Sequence, residues 1–432
     1  MKRILVLFAN DWDRGELERP KYRNDYQFLY EGTDFFKFPG ALKLLSFRAG
    51  AYIDRLARRY AKAGLDGVLS SDEYVGAAIA AALARKLGLP GAEPGHIVVA
   101  QHKYYSRCRQ REAVPEAVPG VALVPLPGRN RAGSARPPGS SGSALSFPFF
   151  VKPVKGTFSL FAAKVQDEAA LRRHLGFRFH ERLLLRLLTR PFNDLIRALT
   201  DLELDANWFI GEELIEGVQV TLDGFAFEGD VQIMGVVDSV MFAGTSTFER
   251  FDYPSRMLPA DVQARMADLA TRLVRGLGFR QAQFNIEMFY DARKEAIKII
   301  EINPRLSYQF ADLYENVDGA NTYDVLLALA LGRKPEFRRG AGQYRFASSF
   351  VLRTFQGQRL LQVPAEKDVD AFMHQYGDAR LRIYGRERQS LKGEMRALGS
   401  YRYGIVNVGA GSLLDLFAIY NDALEKLPFR FE

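Results

Sequence analysis

The chain has 432 residues, 47% of them hydrophobic and 25% charged, with a formal net charge of +8. That length is too great for one ordinary core, so two or three lobes are expected, and the composition is that of a folded protein, not a disordered one. A single cysteine, Cys108, excludes an internal disulfide; the 5 histidines show no zinc spacing, and no apolar run approaches the ~18–20 residues of a membrane span. A basic balance suits nucleic acid, an anionic membrane or a polyphosphate, but here the basic residues are scattered and seldom form dense runs.

Residues 2–9 (KRILVLFA) read as a first buried parallel strand. This apolar stretch is too short for a signal peptide and runs straight into acids, so a cytoplasmic protein is expected. Residues 48–63 have helical spacing, 67–71 (GVLSS) form another short strand, and 73–87 are an Ala-rich helix ending at Gly88. The alternation implies an α/β amino-terminal lobe. Residues 126–146 are dominated by Gly, Pro, Ser and Arg, which cannot build a core, and a mobile linker is expected there. Strand, small-residue turn and strand follow in PFFVKPVKGTFSLFAAKV. Residues 168–201 are helical, with Pro191 and Asn193 expected to break the run into ordinary lengths. Residues 209–240 are strand-rich, with hairpin turns at Asp223-Gly224 and Gly229-Asp230. A helix over 261–277 precedes strands at 283–289 and 298–302, joined by the turn DARKEA, and a helix at 322–331 ends at Gly332. The last stretch mixes strands with a helix over 413–427.

The stretch IIEINPRLSYQF (299–310) raises the chemical question. A strand turns residues i and i+2 to one face, so Glu301 and Asn303 project together, as do Asn285 and Glu287 in FNIEMFY. A hairpin would bring these two carboxylates and two amides to one patch. Such oxygen donors suit magnesium, which binds through one or two carboxylates plus substrate phosphates; taken alone, the stretch reads equally as a half-exposed strand end closed by Pro304. Lys152 ends an apolar strand before a small-residue turn, where backbone N–H groups can cradle phosphate oxygens. Neither a Walker loop nor a dinucleotide fingerprint is present. His102, beside Lys103, reads as structural. FERFDYPSRM places Arg250 and Arg256 where they could bind an acid or acceptor, or simply form a rim loop. Ser307 in SYQFADLY could line an acceptor pocket whose aromatics read equally as core.

Four motifs stand in order: AQHKYYSRCRQREAVP with Lys103, FFVKPVKGTFS with Lys152, GEELIEG, and the Glu287 strand followed by EINPR. In this the chain resembles the ATP-grasp carboxylate–amine/thiol ligases over about residues 65–335. The resemblance implies a fold of α/β and α+β parts. These are an α/β pre-ATP-grasp lobe (1–100), an ATP-grasp domain (101–335) with a lid subdomain at about 150–218, and a carboxy-terminal α+β subdomain (336–432). It implies that Lys103 and Lys152 neutralise ATP phosphates and that the loop with Lys155, Gly156, Thr157 and Ser159 closes over the triphosphate. It gives Glu212 the adenine amino group, with Glu213, Leu214 and Ile215 along the ring, and Gln219 the ribose position, where the family has an acid. Glu287, Glu301 and Asn303 would hold two magnesium ions (or manganese), with Glu301 bridging. Lys152 and Asn303 would thereby serve the chemistry, and Arg305 would meet the transferring phosphoryl group or the carboxylate substrate. Asp238 is a pocket candidate by the same resemblance.

The implied reaction joins a small carboxylate to an amine through an acyl phosphate, in biosynthesis on amino-acid-like substrates, with no nucleic-acid or membrane partner; a homodimer is compatible with it. Two readings stay beside it: a carboxylase-like enzyme that activates bicarbonate, and an ATP-binding regulator without turnover. A nucleic-acid binder would need a basic stripe with stacking aromatics, and none is found.

Overall fold

The structure is a computed structural model that describes residues 1–35, 43–126, 145–156, 161–245, 247–357, 359–393, 395 and 399–432. Most of the expected linker, together with Thr157 and Ser159, lies outside the described residues.

The amino-terminal lobe is a parallel sheet in the order β2–β1–β3, from β1 (Lys2–Leu7), β2 (Tyr26–Glu31) and β3 (Gly67–Leu69). Ile4, Leu5, Val6 and Leu7 are all buried, as a strand covered on both faces requires. The Ala-rich helix Gly76–Leu87 packs on this sheet and ends at Gly88, whose φ of 67° is the left-handed C-cap that glycine adopts without a steric penalty.

The lid is an antiparallel sheet in the order β4–β7–β5–β6, built from β4 (Val121–Val124), β5 (Phe149–Pro153), β6 (Ala163–Val165) and β7 (Phe209–Glu213). Its sheet therefore begins about 30 residues before the expected boundary at 150. The long helical run divides at Gly176 into helices Glu168–Leu175 and Phe179–Leu199, and not at Pro191, which lies inside the second. One lost backbone hydrogen bond at a proline is outweighed there by burial of Leu185, Phe192, Leu195 and Ile196 along one face.

The chain leaves the lid through Gly217, at φ 123°, where an added Cβ would stand 2.1 Å from the Tyr290 carbonyl oxygen. It then builds β8 (Val218–Phe227), β9 (Asp230–Met241), β10 (Phe248–Tyr253), β11 (Gln281–Asp291) and β12 (Ala296–Asn303). Past residue 336 come β13 (Phe346–Thr354), β14 (Arg359–Gln362), β15 (Arg380–Ile383), β16 (Gln389–Ser390), β17 (Tyr401–Ala410) and β18 (Arg430–Phe431). Eight strands form one sheet, β12–β11–β8–β9–β10–β13–β17–β15, so the boundary expected near residue 335 does not interrupt it. Strands β16, β14 and β18 make a small separate sheet.

Period two gives this large sheet two characters. Phe284, Ile286 and Met288 of β11 join the main core with Met266, Leu269 and Leu273 of helix Ala260–Gly276. The intervening Gln283, Asn285 and Glu287 face the other way, toward the amino-terminal lobe. No helix among the described residues is long and apolar enough to cross a membrane.

Candidate active site

The hairpin of β11 and β12 sets Glu287 directly opposite Glu301 and Asn285 opposite Asn303. A β-bulge after Glu287 shifts the register beyond that point, where a change in strand twist re-aims side chains. Asn303 Nδ2 donates to Asn285 Oδ1 (3.3 Å), Asn285 Nδ2 donates to Asp223 Oδ1 (2.9 Å), and the Tyr314 hydroxyl donates to Asp223 Oδ2 (3.0 Å). This buried chain fixes the amides and leaves the two glutamates at its open end. Burial pushes the Asp223 carboxyl up to about 6, against the hydrogen bonds from Asn285 and Tyr314.

Lys103, at the start of helix Lys103–Ala113, reaches Glu301 Oε2 at 3.2 Å and the Gly156 carbonyl at 3.5 Å. Burial opposes the charge on Glu301, but Lys103 and Lys152 outweigh it and hold that carboxyl well below its ordinary range. Glu287 fares differently: burial, then the Glu301 charge beside it, push its carboxyl up. Its hydrogen-bond contact is Gln219 Nε2 at 3.3 Å, and among the described residues it has no ion-pair partner. Two half-buried carboxylates facing each other, one without a cation, fit a hard divalent ion with further ligands from water and phosphate. Among the described residues there is no cluster of three or more His, Cys, Asp or Glu able to hold a metal ion. This donor set thus suits a metal brought in with a polyphosphate, not a caged one.

Lys152 Nζ lies 2.7 Å from Glu212 Oε2, and Arg107 Nε lies 2.8 Å from Glu212 Oε1. Arg107 is 2% exposed and also donates to the carbonyls of Ile299 (2.7 Å) and Ile300 (2.6 Å). It thus ties the lid strand β7 to the strand that carries Glu301. Burial opposes ionisation of Glu212, yet Arg107 and Lys152 hold its carboxyl at about 2. Glu212, implied as the adenine acceptor, is engaged on both oxygens by these cations. The sequence reading passed over Arg107, although its i+4 spacing from Lys103 puts both on one helix face.

Glu73 is a second residue that the motifs did not single out. Its side chain accepts from Arg305 Nη2 (3.2 Å), while its backbone carbonyl accepts from Lys155 Nζ (3.1 Å) and Gln101 Nε2 (2.5 Å). The amino-terminal lobe thereby sets two of the site's cations. Lys155 is 3% exposed, sits 4.9 Å over the Phe192 ring, and is pushed down to about 8 by burial, with the Lys103 charge adding and Glu73 opposing. In the hinge, Glu213 accepts from Gly120 N (3.0 Å), and Leu214 and Ile215 are half-buried. Gln219, implied at the ribose, leans instead on Glu287. Ser307 opens the short helical turn Tyr308–Phe310. His102 caps helix Lys103–Ala113, its ring accepting from Tyr105 N at 3.4 Å.

Three substrate candidates fall elsewhere. Asp238, Arg250 and Arg256 belong to the opposite face of the sheet. Asp238 accepts from Ser255 Oγ (2.5 Å), Arg256 N (2.7 Å) and Met257 N (3.0 Å), which closes the turn after β10. Arg250 pairs with Asp252 (3.0 Å) and lies 5.0 Å over Phe417 of the carboxy-terminal helix; Arg256 lies 5.4 Å over Phe346. Strand β10 runs through Tyr253, so alternation, not loop geometry, decides where Arg250 points, while Arg256 lies in the turn beyond it.

Residues 145–314 match a family model described as the ATP-grasp domain. That segment carries the match to the ATP-grasp domain, and proteins of that family bind ATP with Mg2+. Its fold matches over the whole chain that of an L-amino acid ligase from Bacillus licheniformis, with TM-score 0.71, 15% identity and 99% of that chain covered. A phosphoribosylglycinamide synthetase from Anaerococcus prevotii gives TM-score 0.66 at 15% identity, with both chains fully covered. In sequence, 293 residues (65% of this chain) are 25% identical to carnosine synthase 1 of Gallus gallus. The match spans only 29% of that longer relative.

Proposed function

We infer that the chain is an ATP-dependent carboxylate–amine ligase acting on small amino-acid-like substrates. The observation that carries this reading is the facing pair Glu287–Glu301, flanked by Lys103 and Lys152, with Arg305 held in the same cleft by Glu73. The similarity to an L-amino acid ligase and to carnosine synthase 1 supports the choice of acid and amine.

The carboxylate substrate attacks the γ-phosphorus of ATP, the bond to the β-phosphate oxygen breaks, and ADP leaves an acyl phosphate. The amine then attacks the acyl carbon, loses a proton, and expels phosphate to give an amide. The first step brings two anions together, so the site's work is to offset their repulsion without water. Lys103 and Lys152 meet the phosphates, and Lys155 and Gly156 border them from the loop; Glu213, Leu214 and Ile215 line the base. Arg305 holds the incoming carboxylate against the transferring group. Glu287, Glu301 and Asn303 would hold two magnesium ions, for which manganese can substitute; the metal supplies charge neutralisation at the transferred phosphoryl oxygens. Little base strength is required of the protein, because the acyl phosphate is already activated.

The test is magnesium-dependent ADP release over the twenty amino acids, singly and in pairs. Release that requires both an acid and an amine is the expected result. Release with bicarbonate alone would replace this reading with a carboxylase-type one, and ATP binding without turnover under every mixture would leave a regulator.

A further inference from the structure

Beyond Arg305 the same sheet face carries a second set of cations that the proposed chemistry does not use. Arg353 of β13 stands directly opposite Arg402 of β17, where like charges on neighbouring strands repel. Arg382 of β15 lies on the same face, one strand further out. Among the described residues none of the three has a carboxylate partner within ion-pair distance. Arg353 Nη1 donates to Ser400 Oγ (2.8 Å), while Nε of Arg353 and Nε of Arg382 are buried without a partner. Asp312 lies within electrostatic reach of Arg382 but accepts from Asn407 (2.9 Å).

Aromatic side chains wall this group. Arg402 lies 4.5 Å over the Tyr384 ring, the Tyr384 hydroxyl accepts from Trp12 Nε1 (2.9 Å), and Arg382 lies 5.0 Å over Trp12. The Trp12 and Tyr308 rings are 5.8 Å apart. Tyr308 follows Arg305 by three residues, and its hydroxyl feels the charge of both Arg305 and Arg402. The group therefore lies beside the short turn that follows Arg305. Buried guanidinium N–H groups without acceptors are costly to keep unless a ligand completes them.

We propose that Arg353, Arg402 and Arg382 form a subsite for a second anionic group on the acid substrate, which makes the substrate a dianionic acid. This rests on the ligase reading for its role but not for its binding. Either a carboxylate or a phosphate ester supplies the required oxygens. Trp12 of the amino-terminal lobe meets Arg382 and Tyr384 of the carboxy-terminal strands here, so both parts of the chain would select the substrate.

Calorimetric titration of the full chain with ATP analogue and magnesium uses three probes: butyrate, glutarate and phosphonoacetate. At least tenfold tighter binding of one dianion than of butyrate is expected, and which one it is tells carboxylate from phosphate chemistry. Arg402→Gln (an exposed position) and Arg353→Gln should each remove that preference and leave butyrate unchanged. Equal binding of all three probes, or a preference that survives Arg402→Gln, overturns the subsite. Acid- and amine-dependent ADP release with monoacids only, indifferent to Arg402→Gln, also overturns it while the ligase stands. A dianion preference without any ADP release upholds the subsite and removes the ligase.

Discussion

The two faces of the eight-stranded sheet come from the same strands and share no chemistry. One face packs Phe284, Ile286 and Met288 on a helix and buries Asp238 as a turn clamp. The other carries Asn285, Glu287, Glu301 and Asn303 as a graded polar network that ends in paired carboxylates. A single step along a strand therefore separates a residue that stabilises the fold from one of the candidate site.

Substitutions on the two faces should accordingly have opposite signatures. The largest effect is expected from Glu301→Gln, which should lower ADP release by about 10³-fold or more with little change in melting temperature; near-normal turnover would mean the metal lies elsewhere. Arg107→Met comes next. It leaves Glu212 buried with half its charge support, at a cost of about 3–5 kcal/mol, and the double variant with Glu212→Gln should recover part of that loss in urea unfolding. His102 comes third. Burial lowers its pKa to about 4 from the ordinary 6.5, so below pH 6.5 the unfolded chain binds the proton first. The His102 contribution is thus complete above pH 6.5 and is lost as pH falls toward 4, by about 3 kcal/mol. The difference in urea midpoint between the wild type and His102→Asn, followed over that range, should change with this sign; a flat difference would mean the histidine is not buried neutral. The smallest effect belongs to Arg250→Ala on the far face. Its kcat/KM should stay within about twofold and its stability within about 1 kcal/mol, and a large rise in KM would show that the faces communicate.

The same contrast explains what the amino-acid sequence made legible. Glu287 and Glu301 could be paired on paper because both strands are strongly apolar, a short turn joins them, and period two fixes which residues share a side. The resemblance to the ATP-grasp ligases then implied that Lys103 and Lys152 lie nearby. For Asp238, Arg250 and Arg256 the composition is equally suggestive, but their side of the sheet depends on the register of β10 between β9 and β13, a long-range fact. Glu73 and Arg107 were missed for a related reason. Neither sits in a glycine-rich or acidic motif, and each acquires its role by touching an element far along the chain. The misplaced break at Pro191 is a case of tertiary burial overriding a local preference.

Because β13, β17 and β15 complete the sheet that bears the Glu287–Glu301 hairpin, the last hundred or so residues are not an appendage that can be trimmed. Removing them would strip β10 of its neighbour and leave a row of naked amides and carbonyls, an invitation to pair with another molecule. Shortened forms of this chain should therefore precipitate before they lose affinity for nucleotide, and the intact protein should melt without releasing its tail first.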